Sequence, residues 1–139
     1  MKITRFEDVE CWQEARTLTK MVFASVSEPA FRAKGFRLID QITGAAISVM
    51  NNIVEGFDGQ SNAEFIRFLG YARRSASEVQ TCVYVVLDNG AMQQLQFDAM
   101  YQQAEKTRRM IDGFLRYLRS HRELKQAQRA QPAQQAQLT

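Results

Sequence analysis

Two long apolar-periodic segments meet at a short glycine-marked turn, and that junction constrains the fold of this chain more than any other feature. In the first segment Leu38, Ile42, Ala45, Val49 and Ile53 recur at spacings of three and four. In the second, Phe65, Phe68, Leu69, Ala72, Ala76, Val79, Val83 and Val86 keep the same rhythm. Such spacing places each set on one side of an α-helix. The link Glu55-Gly56-Phe57-Asp58-Gly59 is too short for anything but an antiparallel return. A helical hairpin is therefore predicted at the centre of the chain.

Punctuation elsewhere agrees. Ser61 is placed to cap the second helix of the hairpin, and Glu64 three residues later completes a capping box. Asn89-Gly90 provides a left-handed stop after Asp88. Upstream, Trp12, Ala15, Thr19, Val22 and Val26 mark a helix that begins between Phe6 and Val9, capped by Thr4 or Asp8, and ends near Ser27 before Pro29. Downstream, Phe97, Met100, Ala104, Thr107, Ile111, Phe114 and Leu118 mark another, from Gln93–Gln96 to about Arg122. The hairpin's first helix is expected over Gly35–Glu55. The β-prone run Cys82–Leu87 stays in phase with the helical pattern before it and reads as the buried end of that helix.

The fold class is thus all-α: an up-down-up-down antiparallel four-helix bundle over residues 1–124. Residues 125–139 form an Ala/Gln-rich tail with no stripe to bury, expected to be disordered. The two middle helices carry more apolar surface than a bundle core uses. Ile39, Ala46, Ile47, Met50 and Val54 flank one stripe, and Ile66, Tyr71, Tyr84, Val85 and Leu87 flank the other. Burial between copies of the chain is the simplest use of that surplus.

Composition excludes several classes. No run approaches the ~18 apolar residues of a membrane span, and Met1-Lys2-Ile3-Thr4-Arg5 leads into no signal-peptide core, so a cytoplasmic location is expected. Cys11 and Cys82 lie far apart inside helical patterns and read as reduced core thiols. Charge is uneven. Residues 1–64 hold 7 basic and 9 acidic side chains, net −2, whereas residues 65–139 hold 11 and 6, net +5. A mildly basic half permits a nucleic-acid partner without requiring one.

Several segments together resemble a known family: Phe6-Glu7-Asp8-Val9-Glu10-Cys11-Trp12-Gln13-Glu14-Ala15-Arg16, Asp40-Gln41-Ile42, Ala45-Ala46-Ile47-Ser48, Asn52-Ile53-Val54-Glu55-Gly56-Phe57, Glu64-Phe65-Ile66-Arg67-Phe68-Leu69, and Ala72-Arg73-Arg74-Ser75 with Glu78. They are similar to the 23S rRNA-intervening-sequence proteins, also called four helix bundle proteins. The likeness spans roughly residues 5–118. It implies a cytoplasmic four-helix bundle, often a ring-shaped homopentamer, with no established enzymatic activity. More distantly, the chain looks like the accessory variability determinant of diversity-generating retroelements, a basic pentameric bundle that binds nucleic acid and a reverse transcriptase. Thr43-Gly44 stands where the family commonly has a basic pair, Met50 where it has proline, and Arg74 where it has glycine.

Two constellations could carry function. Ser48, Asn52 and Glu55 share a helix face. Antiparallel packing brings them toward Arg73, Ser75 and Glu78, with Arg73 or Arg67 available to pair with Glu55 or Glu78. This is either a polar clasp that sets register or one end of a ligand pocket. A Glu55/Glu78 carboxylate pair would be a third use. Arg108, Arg109, Arg116, Arg119 and Arg122 fall within about 140° on the last helix at 100° per residue, and Arg67 and Arg74 form a shorter row. These could track an RNA or DNA backbone without reading sequence, or form a solvated face with Asp112 as counter-charge. His121, the single histidine, reads as a partner of a helix C-terminal dipole. No nucleophile arrangement, phosphate loop or metal set is visible, so no enzyme activity and no cofactor are expected. The expected role is a non-enzymatic oligomeric scaffold or binding module, with nucleic-acid binding as the alternative.

Overall fold

The computed structural model describes residues 3–137, with side chains from residue 3 through 121. The chain enters through a 3-10 turn at Phe6–Asp8 and continues as α1 (Glu10–Val26), a one-turn α2 (Pro29–Arg32), α3 (Phe36–Phe57), α4 (Asn62–Asp88) and α5 (Gln94–Gln137). No strand occurs among the described residues, and Cys82–Leu87 is helical as expected.

The hairpin forms as the spacing predicted, and α3 and α4 pack along most of their length. Residue pairings fix the directions of the four long helices. Ser48 meets Ser75 across α3 and α4. Arg73 meets Asp112 and Gln80 meets Glu105 across α4 and α5. Glu14 holds Gln103 and Lys106, which ties α1 to α5, and Thr19 donates to the Ala46 carbonyl, which ties α1 to α3. Each neighbouring pair is antiparallel, so the long helices run up, down, up, down around one core.

That core has two lobes. At one end Leu18, Val22, Phe31, Ile42, Val83, Val86 and Met100 pack together. At the other, Val9, Trp12, Val49, Ile53, Leu69 and Ile111 do so. Alanines 15, 45, 46, 72, 76 and 104 fill the waist and let the helix backbones approach closely. Trp12 is buried edge-on against Phe6 at 5.1 Å, a core anchor. Cys11 and Cys82 are free thiols in opposite lobes.

Several boundaries differ from the sequence reading. Neither Thr4 nor Asp8 caps α1; its N-cap is Val9, whose side chain can accept nothing. The link after α1 hides α2, started by Pro29 at its first turn. Its Phe31 is fully buried and closes the α1–α3 end of the core. Ser61 caps α4 by accepting from the Glu64 N–H at 3.2 Å, but Glu64 reaches back to the Gln60 N–H, one residue upstream of the expected box partner. α4 stops as predicted: Gly90 takes φ 73°, and the Ala91 and Gly90 N–H groups donate to Val86 and Leu87. α5 continues past Arg122 to Gln137, so His121 is not at a helix end. The proposed division between bundle and tail at residues 124 and 125 falls where side chains lie outside the described residues.

Candidate functional site

Around the predicted clasp, three of six residues converge. The Ser48 and Ser75 hydroxyls meet at 2.9 Å. Asn52 Nδ2 donates to both the Ser48 carbonyl and its Oγ, at 2.8 and 3.0 Å. Ser75 is buried, while Ser48 and Asn52 are half-buried. Serine hydroxyls both donate and accept, so this cluster satisfies itself and sets the register of α3 against α4.

The other three stand apart. With Ser48 opposite Ser75, Glu55 faces the neighbourhood of Phe68, ten residues from Glu78. That is about 15 Å of helix rise, which keeps the two carboxylates from acting as a pair. Both are exposed. Arg73 turns away from α3 altogether, and its Nε donates to Asp112 on α5 at 2.7 Å. Asp112 is thus the partner of Arg73 rather than a counter-charge for the α5 arginines.

Those arginines also divide. Arg109, Arg116 and Arg119 are exposed. Arg108 is drawn inward: its Nη1 donates to Gln80 Oε1 at 3.0 Å and Glu105 Oε2 at 3.2 Å, while Gln80 Nε2 donates to the same carboxylate at 2.9 Å. Arg108 Nε is buried without a partner among the described residues. Arg108 therefore belongs to an interhelical network and not to a phosphate-facing stripe. The side chain of Arg122 lies outside the described residues. On α4, Arg67 and Arg74 are exposed and lie over the rings of Phe68 and Tyr71, at 5.1 and 6.0 Å. On α5, Phe114, Tyr117 and His121 stack in sequence, with Tyr117 and His121 inclined by only 16°.

The sequence reading missed the Gln80–Glu105–Arg108 triangle. Its one signal is Gln80 beside Val79 and Val83 on α4, a polar residue where the helix faces a neighbour. A groove along the α3–α4 seam was also missed. It runs from Lys34 and Asn89, over Leu38, Gln41 and Val85, to an open polar hollow of about 330 Å³ at Asp40, Gly44, Ser48, Ser75 and Glu78. Gly44 is exposed in mid-helix, and a Cβ added there would meet nothing within 4 Å.

The surplus apolar flank is narrower than predicted. Ala46 is fully buried against α1, and Ile39, Met50, Val54, Ile66 and Leu87 are partly covered by the core. Ile47, Tyr71, Tyr84 and Val85 stay 40–49% exposed. Phe23, Phe36, Leu95 and Tyr117 are exposed elsewhere, and such single exposures are ordinary. The described residues contain no helix long and apolar enough to cross a membrane and no cluster of three or more potential metal ligands from histidine, cysteine and carboxylates.

The model of the 23S rRNA-intervening sequence protein family matches residues 7–113, from the 3-10 turn to the Asp112 contact with α4. The chain belongs to that family. Among solved structures, it is similar to a protein of unknown function from the S23 ribosomal protein family of Bacteroides thetaiotaomicron, with a TM-score of 0.71 at 17% identity. The match covers 76% of this chain and 95% of that one, and at such low identity it speaks for the shared fold alone. No curated protein matches. A 23S rRNA-intervening sequence protein is thereby placed on a helical bundle shared with a neighbour of unknown function.

Proposed function

We propose that this intervening-sequence protein is a non-enzymatic, cytoplasmic scaffold that works as a homo-oligomer, with the outer faces of α3 and α4 as the contact between copies. The observation that carries this reading is the exposure of Ile47 on α3 and of Tyr71 and Val85 on α4, with Val85 lining the α3–α4 groove. Two further features support it. Lys34, Arg37 and Arg74 share the groove with Asp40 and Glu78, so one copy offers both signs of charge to another. Gly44 leaves the α3 backbone bare in mid-helix, where a neighbouring chain could approach closely. The family resemblance suggests five copies. Replacing Val85 and Ile47 by glutamate should lower the solution mass to one 16.0 kDa subunit without loss of helicity. Unchanged assembly in that double variant would refute the proposed interface.

A second reading is favoured by a different surface. Arg116 stands exposed on α5 next to Tyr117, whose ring stacks on His121, with Arg109 exposed two turns earlier and Arg119 exposed on the side away from the rings. Arginine with exposed aromatic faces suits single-stranded nucleic acid, bound through phosphates and base stacking. The likeness to the accessory variability determinant points the same way. Binding to a mixed RNA and DNA pool at low salt, weakened by Arg116→Glu with Arg119→Glu, would support it. Absence of binding at low salt would remove it.

A further inference from the structure

The opposite flank of the bundle, between the entering chain and α5, holds a cavity of about 540 Å³. This lies within the roughly 300–1,000 Å³ typical of small-molecule sites. Ile3, Cys11, Met110 and Phe114 give it apolar walls. Asp8, Glu10 and Tyr117, all exposed, also line it.

Gly113 keeps the cavity open. It sits on the α5 wall, and a Cβ added there would meet only Arg116 Nη2, at 3.7 Å. No packing neighbour requires glycine, although glycine is the weakest helix former after proline. Any larger residue would project toward the space that Met110 and Phe114 enclose.

We propose that this cavity binds a small hydrophobic amine, its apolar body between α1 and α5 and its ammonium at the Asp8 and Glu10 carboxylates. Charge decides the class. Asp8 has a long, exposed contact with Arg5 at 3.6 Å, and Glu10 makes no ion pair among the described residues. Both charged side chains that line the cavity are carboxylates; the nearest guanidinium, Arg116, lies behind the Gly113 wall, so a cation gains more on entry than an anion and can lie against the Tyr117 ring. Cys11 contributes a wall and no covalent bond, since burial keeps its thiol protonated. This site is separate from the α3–α4 contact surface and stands or falls apart from it.

The test uses the full chain with labelled isoleucine and methionine methyl groups, titrated with 4-phenylbutylamine and, in parallel, 4-phenylbutyrate. The amine should shift the Ile3 and Met110 methyl signals to saturation, with the carboxylate roughly tenfold weaker, as expected for exposed charge contacts. Gly113→Leu should remove those shifts. Asp8→Asn with Glu10→Gln should keep binding of the apolar body yet make the two probes equal, which decides the matter even if Gly113→Leu fails to fold. Absence of methyl shifts with the amine, equal affinity of both probes for the parent chain, or unchanged amine binding in folded Gly113→Leu would overturn the proposal.

Discussion

Burial pushes the Cys11 thiol up to about 12 from its ordinary 9.0, outweighing the backbone N–H groups of Cys11 and Trp12 that favour the thiolate. The sign follows from linkage: the folded state holds this proton more tightly than the unfolded chain does. Its contribution is intact below pH 9 and is lost as pH rises toward 12. Denaturant titrations should show stability falling across that window, and Cys11→Ala should flatten the fall relative to the parent. An identical slope in both would contradict the account. Gly56 tests packing at the same scale. A Cβ there would come within 2.8 Å of Phe65 Cδ1 and 3.3 Å of the Phe65 backbone. Gly56→Ala should therefore destabilise by about 1–3 kcal/mol, as overpacking does, measured by urea unfolding.

Among the elements, α3 and α4 were legible because their stripes are long and their ends carry strong local signals, Ser61 with Glu64 and Asn89 with Gly90. α2 was not, because four residues are too few to show a period, and Phe31 betrays its burial only once α1 and α3 are in place. Phe31→Ala should cost about 3–5 kcal/mol, visible as a clear drop in thermal midpoint. Of the polar clasp, the Ser48–Asn52–Ser75 part followed from helical spacing. The partner of Arg73 did not, since it depends on which helix lies on the far side of α4, and Asp112 is 39 positions away. The same holds for Arg108: a helical wheel counts it with the outward arginines, while Gln80 and Glu105 turn it inward. Gly44 offers a further test on α3. With its Cβ in open space, Gly44→Ala should stabilise an isolated bundle by up to about 1 kcal/mol. In an assembly closed over that face it should instead weaken association, so thermal midpoint and solution mass should move in opposite senses.

At the scale of the whole molecule, the four helices cover their core and leave a band of apolar side chains, Ile47, Tyr71 and Val85, exposed on α3 and α4, with charges of both signs along the groove that Val85 lines. A bundle of this size needs no partner to fold, so the band is surplus to stability and available for assembly. The mass of the full chain in solution, by light scattering at micromolar concentration, tests this most directly. The account predicts a single species at an integer multiple of 16.0 kDa, dissociating when Ile47 and Val85 become glutamate. A mass of 16.0 kDa for the unmodified protein would contradict it.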